Sequence, residues 1–402
     1  MKKTVVIGLS LLSVVAVASA GLVAFLPVTY NYDHSLISRN EEHSVKLVEG
    51  EKYKTLEKTT RNDFKIIGFT DTHLDTYRKK CTVTLEMMIR NIVKEKPDLV
   101  VFDGDVITSS FNRRRANQFV KVMDELGVYW TAVLGNHEGD NVWSISRAEL
   151  LNIYAKSPYC LIETDKKTIK DGKVVDGFGN HVVNLKSNGS VIQSLYFIDG
   201  GSYMSSDDLA KYKDQIPDPT CNGYDYIKES QIEWYSETAE DISSCCGPVK
   251  SMLFTHIPLP EFKEAYELIT GEKKVTSNTP DYSIKEDGNQ ILFGARRETI
   301  CHSGHNSGMF DKILSLGSTQ AVVSGHDHIN DFILNYKGVR LGYCQSSGYS
   351  SYNLATRGTG EALLQGYSEF LIASNGDLEW NNKKNADLWP ELQNDIDNLY
   401  NS

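Results

Sequence analysis

From Phe64 onward the chain alternates short apolar runs with helical spacing, and the apolar runs stop at residues able to hold a cation. Phe64 to Asp71 reads as a strand that ends on Asp71. Thr84 to Lys96 sets Leu85, Met88, Ile89, Ile92 and Val93 at helical intervals until Pro97 halts it. Asp98 to Asp105 is the next strand, ending on Asp105. Ala116 to Leu126 is again helical, with Gly127 as its C-cap. Tyr129 to Asn136 is a third strand, closing on Asn136 and His137. Strand, helix, strand is the rhythm of α/β units whose strands are buried on both faces.

The same ending recurs downstream. Lys250 to His256 is a strand finishing in a histidine, and Gln320 to Val323 breaks at Gly325 into His326-Asp327-His328. On extended backbone, residues i and i+2 face one side, so both imidazoles can reach one place. A lone Asp or Asn after a strand is usually a turn former, and a lone His usually structural. Here five of the ten histidines stand at strand ends beside Gly, Asp or Asn, where propensity gives no reason for histidine. Ligands of α/β sheets bind at the carboxyl ends of strands. Carboxylate with imidazole suits divalent Mn, Fe or Zn. Asp71, His73, Asp105, Asn136, His256, His326 and His328 are therefore expected to form a metal site, and one carboxylate between two such sets can bridge two cations.

Between these blocks, Asn180 to Leu185 and Gln193 to Asp199 are expected to form a hairpin, and Ser230 to Ile242 and Phe310 to Leu316 helices. Residues 200–228 and 263–308 read as surface excursions, the second a rim or cap over the site. Gly338 to Gln345 and Tyr367 to Ala373 read as strands. One domain over residues 63–380 is expected, preceded by a polar linker at 29–62 and followed by a polar tail at 381–402. Lys2-Lys3 precede an apolar run over residues 4–28. Ala18-Ser19-Ala20 is a signal-peptidase pattern, yet the uncut run is long enough to span a bilayer, so residues 1–28 read as a cleaved signal or a signal-anchor. Either reading sends the domain out of the cytosol, secreted or held at a membrane. Seven cysteines suit such a compartment and a few disulfides. A net charge of −11 argues against a nucleic-acid partner, and Arg113-Arg114-Arg115 reads as a solvated helix face.

Taken in order, Asp71-Thr72-His73, Gly104-Asp105, Gly135-Asn136-His137-Glu138, His256 and Gly325-His326-Asp327-His328 resemble the five-block signature of calcineurin-like metallophosphoesterases. Phe254 to Glu261, Asn306-Ser307-Gly308 and Gly325 to Phe332 further resemble the purple-acid-phosphatase-like branch that lacks the tyrosine iron ligand. The resemblance covers roughly Phe64 to Trp380. It implies an α/β fold, a β-sandwich of two mixed sheets flanked by helices. It also implies Asp71, His73 and His328 on a first metal, Asn136, His256 and His326 on a second, and Asp105 bridging them. A hydroxide between the metals would attack phosphorus, with His137 protonating the leaving oxygen or binding the phosphate. Thr108 stands where purple enzymes carry tyrosine, and Thr108-Ser109 where protein serine/threonine phosphatases carry Asp-Arg. The usual orienting partner of His137 is thus absent, leaving Glu138 or Asp140 to substitute.

His302 and His305 could reach a substrate phosphate from the rim. Tyr203, Tyr224, Tyr226 and Tyr282 could stack on an organic leaving group. Asp75 reads as a hydrogen-bonding support of the first block, and Trp143 as a packing residue. The expected activity is hydrolysis of a phosphate ester, foremost a phosphomonoester. A phosphodiesterase on the same residues and a non-catalytic surface-binding module are the alternatives.

Overall fold

A computed structural model describes residues 30–39, 44–59, 63–75, 78–215, 223–276, 279–354 and 364–400. The apolar run at residues 4–28 and Cys221 lie outside them. The small sheet is ordered β14-β13-β3-β4-β5: β3 (Phe64–Phe69), β4 (Leu99–Asp103) and β5 (Trp130–Val133) run parallel, and β13 (Gly366–Ile372) and β14 (Leu378–Lys384) add antiparallel neighbours. The large sheet is ordered β1-β2-β6-β7-β8-β10-β12-β11-β9. Its strands are β1 (Val45–Leu47), β2 (Lys54–Lys58), β6 (His181–Ser187), β7 (Ser190–Phe197), β8 (Lys250–Phe254), β9 (Gln290–Phe293), β10 (Thr319–Ser324), β11 (Ile333–Tyr336) and β12 (Val339–Tyr343). Both sheets are mixed, and helices flank them, as the family resemblance implied.

Period-2 alternation decides which side chain serves which layer. Phe64 and Ile66 of β3, Leu99 and Val101 of β4, Met252 and Phe254 of β8, and Ala321 and Val323 of β10 fill the space between the sheets. The alternate residues Ile67, Phe69, Val100 and Phe102 pack outward under α1 (Arg78–Glu95) and α2 (Asn112–Leu126). Leu253 and Val322 pack outward under α5 (Glu229–Cys246), α6 (Glu261–Thr270) and α7 (Met309–Leu316). Phe254 stacks on Phe197 of its own sheet at 5.1 Å and meets Phe370 of the other edge-on at 5.7 Å. Truncation of such a side chain to alanine costs about 3–5 kcal/mol. Gly127 closes α2 with φ 64° and an N–H to the Met123 carbonyl, and Ser146 with Glu149 forms a capping box on α3 (Arg147–Tyr154).

Several expectations are corrected. The supposed linker carries β1 and β2, because Val45, Leu56 and their neighbours extend the inter-sheet core. The supposed tail begins inside β14 and continues through α8 (Asn385–Leu388) and α9 (Gln393–Asp397). There Ile396, Trp389 and Leu392 pack on Met87 of α1 and on Tyr349. The excursions hold α4 (Ser206–Tyr212), α6 and the edge strand β9. Arg115 is 1% exposed, with its guanidinium carbon 5.1 Å from the Tyr30 ring, so only Arg113 and Arg114 form a solvated face. Trp143 is largely exposed, its ring stacked on Phe111 rather than packed in the core. Among the described residues, Cys81, Cys160, Cys245, Cys246 and Cys344 are free thiols.

Candidate metal centre

The donor loops leave β3, β4 and β5 in one sheet and β8 and β10 in the other, each placing its first donor two or three positions past the strand, with His73 and His328 four past. The loops are tied by their backbones: Asp71 N–H donates to the Gly104 carbonyl (3.1 Å), His73 N–H to the Asp105 carbonyl (2.9 Å) and Gly325 N–H to the His256 carbonyl (3.1 Å). Glu138 accepts from Val106 N–H (2.6 Å) and Gly135 N–H (2.7 Å), pinning two loops together. Four donor residues lie in the left-handed region: Asp71 at φ 51°, His73 at 41°, Asp105 at 50° and His326 at 77°. Such backbone costs about 1–3 kcal/mol each and persists only where surroundings enforce it.

The glycine before each block has a steric cause. A Cβ on Gly104 would overlap the His256 ring, one on Gly135 would overlap the Asp105 carboxylate and amide, and one on Gly325 would overlap the Thr70 hydroxyl. These loops approach more closely than any side chain permits.

The result is two adjacent buried groups, Asp71 with His73 and His328, and Asp105 with His256 and His326. Asp105 Oδ2 lies 3.2 Å from His256 Nε2 and 3.6 Å from His73 Nε2, between the groups. Asp71 Oδ1 lies 3.4 Å from His328 Nε2 and 3.8 Å from His256 Nε2. His326 and His328 fall into different groups because residue 326 is left-handed, not extended, which breaks the same-side alternation. The Asn136 side chain is buried on the same loop as His137, and the Asn136 carbonyl accepts from Ser202 Oγ at 2.8 Å.

Donor atoms are aimed by their far sides. His256 Nδ1 is 2.6 Å from the Asp103 carbonyl and His328 Nδ1 is 3.3 Å from the Tyr352 carbonyl, which turns each Nε2 toward the cluster. Thr70 Oγ1 and His326 N–H both donate to Asp71 Oδ2, at 2.9 and 3.0 Å, leaving Oδ1 inward. His137 N–H likewise holds Asp105 Oδ1 at 2.8 Å. Asp71 Oδ1, Asp105 Oδ2, both amide atoms of Asn136, His256 Nε2 and His326 Nε2 are buried without a hydrogen-bond partner. An unsatisfied buried polar atom costs about 1–3 kcal/mol. So many converging on one spot, with Asp105 Oδ2 and His256 Nε2 facing each other at 3.2 Å, fit a pair of cations. Burial drives His73 and His326 down to about 3, the neutral form a cation requires. Burial works to raise Asp105, yet the charge and hydrogen bond of His256 outweigh it and hold the carboxyl well below its usual range.

His137 stands half-exposed at the mouth, its ring 5.7 Å from that of His73. Asp140, not Glu138, partners its Nδ1 at 2.8 Å. Burial lowers this imidazole, but the hydrogen bond to Asp140 and the charge of Asp105 bring it up to about 9. His302 is buried with Nδ1 2.7 Å from the Ser303 carbonyl, and His305 stacks on Tyr212 at 3.7 Å; neither belongs to the two groups. Tyr224 meets the His326 ring edge-on at 4.3 Å and stacks with Tyr203, whereas Tyr226 contacts His305 and Tyr282 donates to the Gly294 carbonyl. Asp75 lines the pocket beside His73. Sequence reading missed Tyr352, which stacks on His328 at 4.2 Å, because no spacing ties residue 352 to the blocks.

A two-sheet α/β sandwich that gathers carboxylates and imidazoles into two adjoining groups at its strand ends is a scaffold for a pair of metal ions. The family model for calcineurin-like phosphoesterases matches residues 64–330, and the chain belongs to that family, in its purple-acid-phosphatase-like branch. Over 294 residues it is 30% identical to a protein named probable inactive purple acid phosphatase 14 of Arabidopsis thaliana, covering 67% of this chain and 63% of that one. It is 28% identical over 331 residues to probable inactive purple acid phosphatase 29 of the same plant, covering 74% and 75%. It is also 28% identical over 299 residues to phosphatase DCR2 of Saccharomyces cerevisiae, covering 69% and 46%. The chain thus spans less than two thirds of the first relative's length. A dimetal phosphatase from Danio rerio overlays loosely, with a TM-score of 0.45 at 14% identity, covering 80% of this chain and 96% of that one.

Proposed function

We propose that the chain is an active dinuclear-metal phosphoesterase that hydrolyses phosphomonoesters. The observation that carries this reading is the convergence of unpartnered, buried donor atoms from Asp71, Asp105, Asn136, His256 and His326. A non-catalytic descendant of the fold has no need to keep five such residues at that cost. Asp71, His73 and His328 would hold one divalent Fe, Mn or Zn ion, Asn136, His256 and His326 the other, and Asp105 both. When bound, such a pair neutralises phosphoryl oxygens and activates water.

The chain's own residues do the rest. A pocket of about 270 Å³, lined by His73, Asp75, Thr108, Ser109, Ser110, His137 and Asn141, adjoins the donor groups. Its polar wall suits the several oxygens of a terminal phosphoryl group. His137, oriented by Asp140, gives its Nε2 proton to the departing ester oxygen. The relatives named inactive bear on those proteins; here every donor of the resemblance is present. The run at residues 4–28 carries the domain out of the cytosol.

The test is metal content and hydrolysis of mono- and bis-p-nitrophenyl phosphate by the full chain with added Mn, Fe or Zn. Two ions per chain and preference for the monoester are expected. No bound metal and no turnover would return the chain to a binding module, and preference for the diester would reassign the substrate.

A further inference from the structure

The two most exposed large apolar side chains among the described residues are neighbours, Val142 at 74% and Trp143 at 72%. They follow Asn141, which lines the pocket beside His137. Trp143 is held firmly despite its exposure. Its carbonyl accepts from Phe111 N–H (3.3 Å), its ring stacks on Phe111 at 6.2 Å and 10°, and Ser144 Oγ and Ile145 N–H bond the 109–112 segment. The residue sits at φ 79°, a conformation that a bulky side chain adopts only when its surroundings require it. The fold therefore tolerates strain to hold an indole outward at the pocket mouth.

A second, independent feature lies on the same side. Tyr30, the first described residue after the apolar run at 4–28, is clasped by Gln118: its N–H donates to Oε1 at 2.8 Å and its carbonyl accepts from Nε2 at 2.7 Å. Its hydroxyl donates to the carbonyl of Asp75, a wall of the pocket. Gln118 lies on the helix that Phe111 precedes, and the two are roughly 10 Å apart by helical rise. So the chain enters the fold beside the mouth that Val142 and Trp143 border. Exposed Arg113 and Arg114 begin the same helix, Arg113 paired with Glu149 at 2.7 Å. Tryptophan beside basic residues is the composition of a bilayer interface.

We propose that this rim seats on a lipid bilayer, so that the metal pocket opens at the membrane surface and acts on phosphomonoesters borne by lipids. The seating rests on Trp143 and Tyr30 alone; the substrate class rests also on the phosphoesterase reading above. Full-length protein in vesicles of phosphatidylcholine and phosphatidic acid, with or without acyl-brominated lipid, tests both. The other four tryptophans are buried or half-buried, so Trp143 dominates a lipid-quenched component. Brominated chains should quench fluorescence of the full chain and quench the Trp143→Phe variant far less; equal quenching in both, or none, overturns the seating. Trp143→Ser should lower turnover of vesicle phosphatidic acid about tenfold and leave soluble p-nitrophenyl phosphate unchanged. Equal loss on both substrates overturns the substrate class. Quenching with no turnover of either substrate by the wild type upholds the seating and refutes the phosphoesterase reading.

Discussion

Gly104→Ala is the most discriminating perturbation of the centre. Gly104 sits at φ 88°, so any side chain there incurs a left-handed strain of about 1–2 kcal/mol. A Cβ at this position would also penetrate the His256 ring, with even the Cβ of His256 only 2.7 Å away. His256 has nowhere to retreat: it is fully buried and its Nδ1 is tied to the Asp103 carbonyl. Relieving the overlap displaces the imidazole and adds an overpacking cost of about 1–3 kcal/mol. Gly50 supplies the control, because it has φ 80° and no atom lies within 4 Å of where its Cβ would stand. Gly50→Ala should therefore lose only the strain, about 1–2 kcal/mol, with metal content intact. Gly104→Ala should lose about 2–5 kcal/mol in urea unfolding and bind less than two ions per chain by plasma mass spectrometry. Equal destabilisation of the two variants, with full metal in both, would refute the claim that close loop approach sets the donor geometry.

Asp105→Asn keeps the shape but removes the charge between His73 and His256; folded protein with fewer than two ions and at least roughly a hundredfold lower turnover is expected, and wild-type rates would exclude Asp105 from bridging. His137→Gln should lower kcat about 10²–10⁴-fold with metal retained, and Asp140→Asn by less, since it only orients the ring; steady-state kinetics on p-nitrophenyl phosphate reads both. His181 gives a pH prediction away from the centre. It is buried against Phe197, between Thr131 and the Gly179 carbonyl, with Glu163 and Lys167 the nearest charges, and burial lowers it from 6.5 to about 4. The unfolded chain thus binds the extra proton first, so stability is full above about pH 6.5 and falls by up to about 3 kcal/mol as pH drops toward 4. Urea titrations should show that slope, and His181→Gln should flatten it.

The strands and their terminal donors were legible because burial and alternation leave a strong trace: β3, β4, β5, β8 and β10 are runs of apolar residues broken by Asp, Asn or His. Residues 45–58 were not, since Lys54-Thr55-Leu56-Glu57-Lys58 offers only one buried aliphatic side chain, and the strand that joins it and β1 to the sheet lies beyond residue 180. Arg115 and Trp143 were misjudged for a shared reason. A composition argument assigns charge outward and indole inward, whereas here a ring from Tyr30 covers the guanidinium and a left-handed backbone turns the indole out. Asp140 was one of two named candidates for orienting His137, and only the three-dimensional course of Glu138 toward Val106 and Gly135 separates them.

The spread of the donors along the chain has a consequence for biogenesis. His73 and His328 meet across 255 residues, and neither group is complete until the strand ending at Ser324 has docked. A nascent chain shorter than that holds Asp71, His73, Asp105 and Asn136 without either histidine of the last block. Loading of either complete group must then follow docking of that strand. Any passage made in an unfolded state would then deliver a chain whose two groups are unassembled, and metals would be loaded in the compartment where it folds.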